Sequence, residues 1–134
     1  MANALYDSGR QGILDRTIDI TASTIKAGLI RSGSFSSGHS ALSDLTGAGA
    51  TLVASAALAN KTYTSGVLNA DPTVFASVAS GAACNVVILF NDTGTGSTSR
   101  LIAYIDTATG LPVTPNGANI TVSWDTAANK IFKL

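Results

Sequence analysis

The sequence predicts a mainly β protein, an antiparallel β-sandwich or jelly roll of about eight strands behind a short N-terminal helix. Every acidic side chain is Asp and none is Glu, so a good helix former is missing and a poor one is kept. Short runs of alternating apolar residues recur at fairly even spacing, divided by Gly, Asn, Asp and Pro. After residue 50 no helix-length segment separates one run from the next, which disfavours the crossovers of a parallel sheet.

Taken in order, residues 3–14 read as one helix in which Leu5, Tyr6, Ile13 and Leu14 share a broad face, although Gly9 and Gly12 weaken it. "RTIDITA" (16–22) alternates Ile18 and Ile20 with polar neighbours and reads as a strand. "TIKAGLIRS" sets Ile25, Ala27 and Leu29 on one face at period two. "SGSFSSGHS" (32–40) is a small-residue loop, expected to be long and exposed, and "ALSDL" after it reads as one helical turn. Further strands are expected at 51–58, 61–68, 73–78, 84–90 and 100–106. In "TGLPVTPNG", Pro115, Asn116 and Gly117 suit positions i+1 to i+3 of a type I turn. "NITVSW" then places Ile120, Val122 and Trp124 on one side, and "NKIFKL" forms the last strand.

The chain of 134 residues reads as one domain over 1–134, long enough to bury a core without metal or disulfide staples. Eight basic and eight acidic residues give a formal charge of zero, so no electrostatic footprint for nucleic acid or anionic lipid is visible. Charged residues are 12% of the chain, against about 25% in an ordinary domain. A surface so short of charge is poorly protected against association, and a permanent assembly is the expected outcome. The opening residues lack the order of a secretory leader and no apolar run reaches membrane-spanning length. Assembly in a reducing cytoplasm is therefore expected.

"FNDTGTGSTSRLIAYID" (90–106) is where chemistry first suggests itself. A dinucleotide fingerprint needs a third glycine where Ser99 stands, and a Walker loop needs a lysine that this stretch lacks. Both need a helix to follow, whereas "RLIAYID" alternates Leu101, Ala103 and Ile105 with Ile102, Tyr104 and Asp106, as a strand does. The stretch reads as a turn between two strands, with Gly94 and Gly96 supplying positive φ at the bend.

Other candidates are weak. His39 is the sole histidine, and Ser40, Ser43 and Asp44 lie near it in a region where Ser is common. Cys84, the sole cysteine, heads the apolar run "CNVVILF" and reads as a small core residue with an inert thiol. Asp92, Asp106 and Asp125 at strand ends do not fit a calcium loop. Trp124 and Tyr104 read as core aromatics, since Arg100 alone is too little for a base-stacking platform. No catalytic, metal or cofactor residue is assigned, and an enzyme is not expected.

The closing stretch "NDTGTGSTSRLIAYIDTATGLPVTPNGANITVSWDTAANKIFKL" (91–134) resembles a family of small virion structural proteins of tailed bacteriophages. "MANALYDSGRQGIL", "STIKAGLI" and "HSALSDL" also resemble that family's segments. The likeness covers nearly the whole chain and is densest after residue 84. Asn91 stands where the family often has Lys, and the loop at 32–38 is richer in Ser and Gly. The resemblance implies a capsid cement or decoration protein, a β-sandwich or jelly-roll subunit, commonly paired, that staples neighbouring capsomers. The implied partners are the major capsid protein and a second copy, with no direct contact to nucleic acid or membrane, and the implied location is the virion. Rival positions are the tail, a fibre base or the head–tail joint. A glycan- or small-ligand-binding β-module is a rival of another class. Leu5, Tyr6, Ile13, Phe35, His39, Leu42, Phe132 and Leu134 are the residues expected at subunit contacts.

Overall fold

The computed structural model describes residues 4–21, 25–105, 111–124 and 131–133. Its centre is the apolar run of β7 (Val86–Asn91), in which Val86 to Phe90 are all buried. A strand buried on both faces must lie between two cores. Val87 and Leu89 enter one hydrophobic cluster and Val86, Ile88 and Phe90 the other.

β7 sits in the middle of a five-stranded sheet. The order is β1 (Ala4–Leu5), β8 (Arg100–Ile105), β7, β2 (Ile25–Arg31) and β3 (Thr51–Ala57). A facing layer holds β4 (Thr62–Thr64), β5 (Val67–Asn69) and β10 (Phe132–Lys133) as one small sheet, and β6 (Thr73–Phe75) with β9 (Ile120–Val122) as another. Every pairing among the described residues is antiparallel. Leu68, Phe75, Val122 and Trp124 from the facing layer meet Ile25, Ala27, Leu29, Val87 and Leu89 in the first core. The fold is thus mainly β and sandwich-like. The second core, on the other face of the large sheet, is closed by α2 (Leu42–Gly47) through Leu42 and Leu45 and by Phe35 from the preceding loop.

α1 (Asp7–Leu14) runs along the outer edge of β8. Tyr6 donates its backbone N–H to the Ile102 carbonyl at 2.9 Å, and the Ser8 hydroxyl donates to the Leu101 carbonyl at 3.0 Å. The approach is so close that a β-carbon on Gly9 would stand 2.6 Å from the Ile102 α-carbon. A glycine that weakens a helix prediction therefore makes the contact, and Gly12 leaves room for the Ile18 side chain.

Several sequence expectations are corrected. The helix starts at Asp7 rather than residue 3, because Ala4 and Leu5 pair with Tyr104 and Ala103 as β1. Its apolar residues do not share one face: Tyr6 is fully enclosed while Leu14 is 82% exposed. "RTIDITA" is not a strand. Asp15 and Asp19 each accept the backbone N–H and the hydroxyl of the threonine two residues on, Thr17 and Thr21, and these local bonds bend the chain. "KTYTSGVL" is a hairpin rather than one strand, turned by Ser65 (φ 55°) and Gly66 (φ 78°), the two positive angles of a type I′ turn. At Gly117 the N–H donates to the Val78 carbonyl, not back across a type I turn, and Asn116 instead accepts from Ala118.

The alternation expected in β8 also breaks. Phe90 opposes Leu101 but Leu89 opposes Ala103, so Ile102 is an extra residue, a β-bulge. Ile102, Ala103 and Ile105 consequently face the first core, and Leu101 and Tyr104 the second. Against these corrections, the turn of helix at "ALSDL" and the inward face of Ile120, Val122 and Trp124 are as expected, and the loop at 32–40 is exposed except at Gly33, Phe35 and His39, which are half-buried.

Candidate functional site

The glycine-rich stretch joins β7 to β8 as a hairpin, with residues 92–99 as its connection. Gly94 has φ 85°, as the bend requires, whereas Gly96 has no positive φ. The Asp92 carboxylate accepts the Gly94 N–H at 3.0 Å and pairs with the Lys26 ammonium at 2.7 Å. Thr93, Thr95, Thr98 and the buried Ser99 bond among themselves across the base of the connection.

What the loop offers to its neighbours is carbonyl oxygen. Leu42 N–H donates to Ser99 at 2.9 Å, and Ser43 N–H donates to Gly96 at 3.1 Å. These are amides of the first turn of α2, which have no partner within the helix. A phosphate loop aims N–H groups at an anion; this loop presents acceptors to a helix. The opposite side of the same turn is closed by Asp44, whose carboxylate takes the N–H groups of Ser40 (2.8 Å) and Ala41 (3.1 Å) and the Ser40 hydroxyl. Gly94→Val should cost about 1–2 kcal/mol, since a β-branched residue at positive φ is strained, and should change no nucleotide affinity. Saturable nucleotide binding by calorimetry, lost in that variant, would contradict the hairpin reading.

Hydrogen bonds from Ser40 and Ala41 hold the Asp44 carboxyl below its ordinary range, and Lys26 and Gly94 do the same for Asp92. A carboxyl depressed by folding contributes stability that is complete above the unfolded value of about 4 and is lost as pH falls through the folded value. The urea midpoint should therefore drop between about pH 5 and about pH 2. An Asp44→Asn/Asp92→Asn variant should start lower and lose less over that interval; an unchanged slope would show that these carboxylates carry none of the effect.

The expected contact residues fall into distinct settings. Tyr6 is enclosed, its ring 5.2 Å from Phe35, and Phe35 in turn meets Tyr104 edge-on at 5.7 Å. Burial, with Tyr104 beside it, pushes the Tyr6 phenol upward, and its hydroxyl has no hydrogen-bond partner. Leu42 is buried in the same cluster. Tyr6 and Leu42 are thus taken up by the chain's own core. Leu5 and Ile13 are half-buried against the first core, and Phe35 and His39 are half-buried in the loop before α2. Phe132 contributes backbone pairing to Leu68. Leu134 lies outside the described residues, as do Asp106 and Asp125.

His39 lies near Asp44, but that carboxylate receives Ser40 and Ala41, and His39 Nδ1 is enclosed with no partner among the described residues. Cys84 is buried, and burial pushes its thiol pKa up while Arg31 acts weakly against the shift. A recess of about 340 Å³ lies beside α1, lined by Ile13, Arg16, Ile18, Asp19 and Ile20. Its one carboxylate, Asp19, is held in the ionised form by Thr21. Among the described residues no group of three His, Cys, Asp or Glu side chains is placed to hold a metal ion, and no helix is long and apolar enough to cross a membrane. Sequence reasoning missed the exposed apolar positions Tyr63 (49%) and Val74 (47%), because each sits in a run that reads as an ordinary alternating strand.

No protein-family model matches the chain, and no curated protein matches it.

Proposed function

We propose that this chain is a non-enzymatic structural component of a tailed-phage virion, a cement or decoration protein that binds the major capsid protein and staples neighbouring capsomers. The observation that carries this reading is the surface. The chain exposes 6423 Å² with only eight basic and eight acidic residues to cover it, and leaves Leu14, Tyr63 and Val74 in solvent. Such a surface favours a partner over water. The resemblance of 91–134 and of the opening residues to small virion proteins supplies the phage context. In this role each apolar side chain fully buried at a seam contributes about 1.5–3 kcal/mol. Many copies then sum modest energies against the pressure of packaged DNA.

Particles assembled without the protein should form but release DNA at lower temperature or under milder osmotic shock. Adding the purified chain back should restore resistance. Particles equally resistant with and without it would overturn the cement role and move a tail or fibre position ahead.

A further inference from the structure

The five-stranded sheet treats its two edges differently. On one side β1 is only two residues long, and α1 covers β8 beyond it, with the Tyr6 N–H and the Ser8 hydroxyl occupying the Ile102 and Leu101 carbonyls. On the other side β3 has seven residues and, among the described residues, pairs with β2 alone. β6 comes near it from the facing layer, but no ladder joins the two. The outer row of N–H and C=O groups on β3 therefore meets no strand among the described residues. Exposed edges are normally guarded by Lys, Pro or inward charges. Thr51–Ala57 has none of these, and no charged residue occurs anywhere from 45 to 60.

We propose that the β3 edge pairs with β3 of a second copy, so that two sheets join into one antiparallel sheet across a two-fold axis. The proposal stands on the sheet edge and does not depend on the virion role. The occupant follows from the chemistry of the edge. The extra residue of the β2–β3 register is Val53, so the regular segment is Ala54–Ala57. Its side chains are Ala, Ser, Ala and Ala, which meet their own copies with neither charge repulsion nor bulk. No charge of the strand or of the residues from 45 to 60 therefore opposes the approach of a second copy. An isologous contact of this kind closes on itself and stops at two copies.

The test is sedimentation of the purified full chain with a series of substitutions. Wild type should show a reversible dimer. Ser55→Lys sets like charges beside the axis and should raise the dissociation constant on the order of a hundredfold. Ser97→Lys, at the exposed tip of the β7–β8 hairpin, should leave it unchanged. Amide exchange of wild type, which needs no variant to fold, should show protection of 51–57 that grows with concentration. A wild-type chain that stays monomeric at every concentration overturns the proposal. So does a dimer indifferent to Ser55→Lys, or one whose concentration-dependent protection lies elsewhere. Protection of 51–57 that appears only on shells, in a chain otherwise monomeric, assigns the edge to a shell strand and also overturns self-pairing. Shell binding itself is read separately, so its loss bears on the cement role alone.

Discussion

Gly9→Ala should lower the stability of the chain by about 3 kcal/mol and its thermal midpoint by roughly 10 °C. Helix propensity alone predicts the opposite sign, since Ala in a helix is favoured over Gly by about 1 kcal/mol. The contact decides. A β-carbon at Gly9 would lie 2.6 Å from the α-carbon of Ile102, 2.7 Å from its oxygen and 3.0 Å from the Leu101 oxygen. All three are backbone atoms of a strand hydrogen-bonded to β7, so they cannot swing aside as a side chain does. The helix must lift instead, and lifting it stretches the bonds from Tyr6 to Ile102 and from Ser8 to Leu101. Ser8→Ala should remove only one of these bonds and cost about 1 kcal/mol. Calorimetric scans of the two variants check both values, and a Gly9→Ala chain as stable as wild type would mean that α1 does not seat against β8.

Ile88→Ala and Leu89→Ala should each cost about 2–5 kcal/mol in denaturant unfolding. The two residues are adjacent on β7 and point to opposite faces. In a sheet with one solvated face, one of the pair would be tolerant. Here both are fully buried, Ile88 in the cluster with Tyr6 and Phe90 and Leu89 in the cluster with Phe75 and Trp124. Because the cavities open in separate cores, the losses should be close to additive in the double variant. If either single variant lies within about 1 kcal/mol of wild type, the two-sided burial of β7 is wrong.

The central strands were legible because their residues carry both period and burial. "CNVVILF" is apolar at nearly every position, which is what a strand between two cores requires, and Ile25, Ala27 and Leu29 keep period two. The misreadings share one cause: a local bond or a tertiary contact overrides the pattern. Ile18 and Ile20 alternate like a strand, yet Asp15 and Asp19 bind Thr17 and Thr21 first. "YTSGVL" is short enough to read as continuous, but Ser65 and Gly66 reverse it. The bulge at Ile102 leaves no mark in composition, since Leu, Ile and Ala suit either face. Gly9 and Gly12 count against a helix in propensity terms, while the packing that requires Gly9 depends on a strand some ninety residues away. The candidate site was legible in outline: the absence of lysine and of a following helix correctly set the glycine-rich stretch as a turn. That its carbonyls serve α2 needed the tertiary structure, because Ser99 and Gly96 meet Leu42 and Ser43 only after the sheet has formed.

The covering of β8 by the first residues also orders events in time. In synthesis from the N-terminus, residues 4–9 are made about ninety residues before their partners at 101–104. Until then Tyr6, destined for full enclosure, has no core to enter. β2 and β3 can pair early, being neighbours in sequence, yet β2 must wait for β7 and β7 for β8. The opening helix can thus be fitted only after β8 has been made, across a loop of some ninety residues whose closure entropy must be met before the contact forms. During synthesis the early β2–β3 pair stands without its neighbours, exposed to other nascent chains.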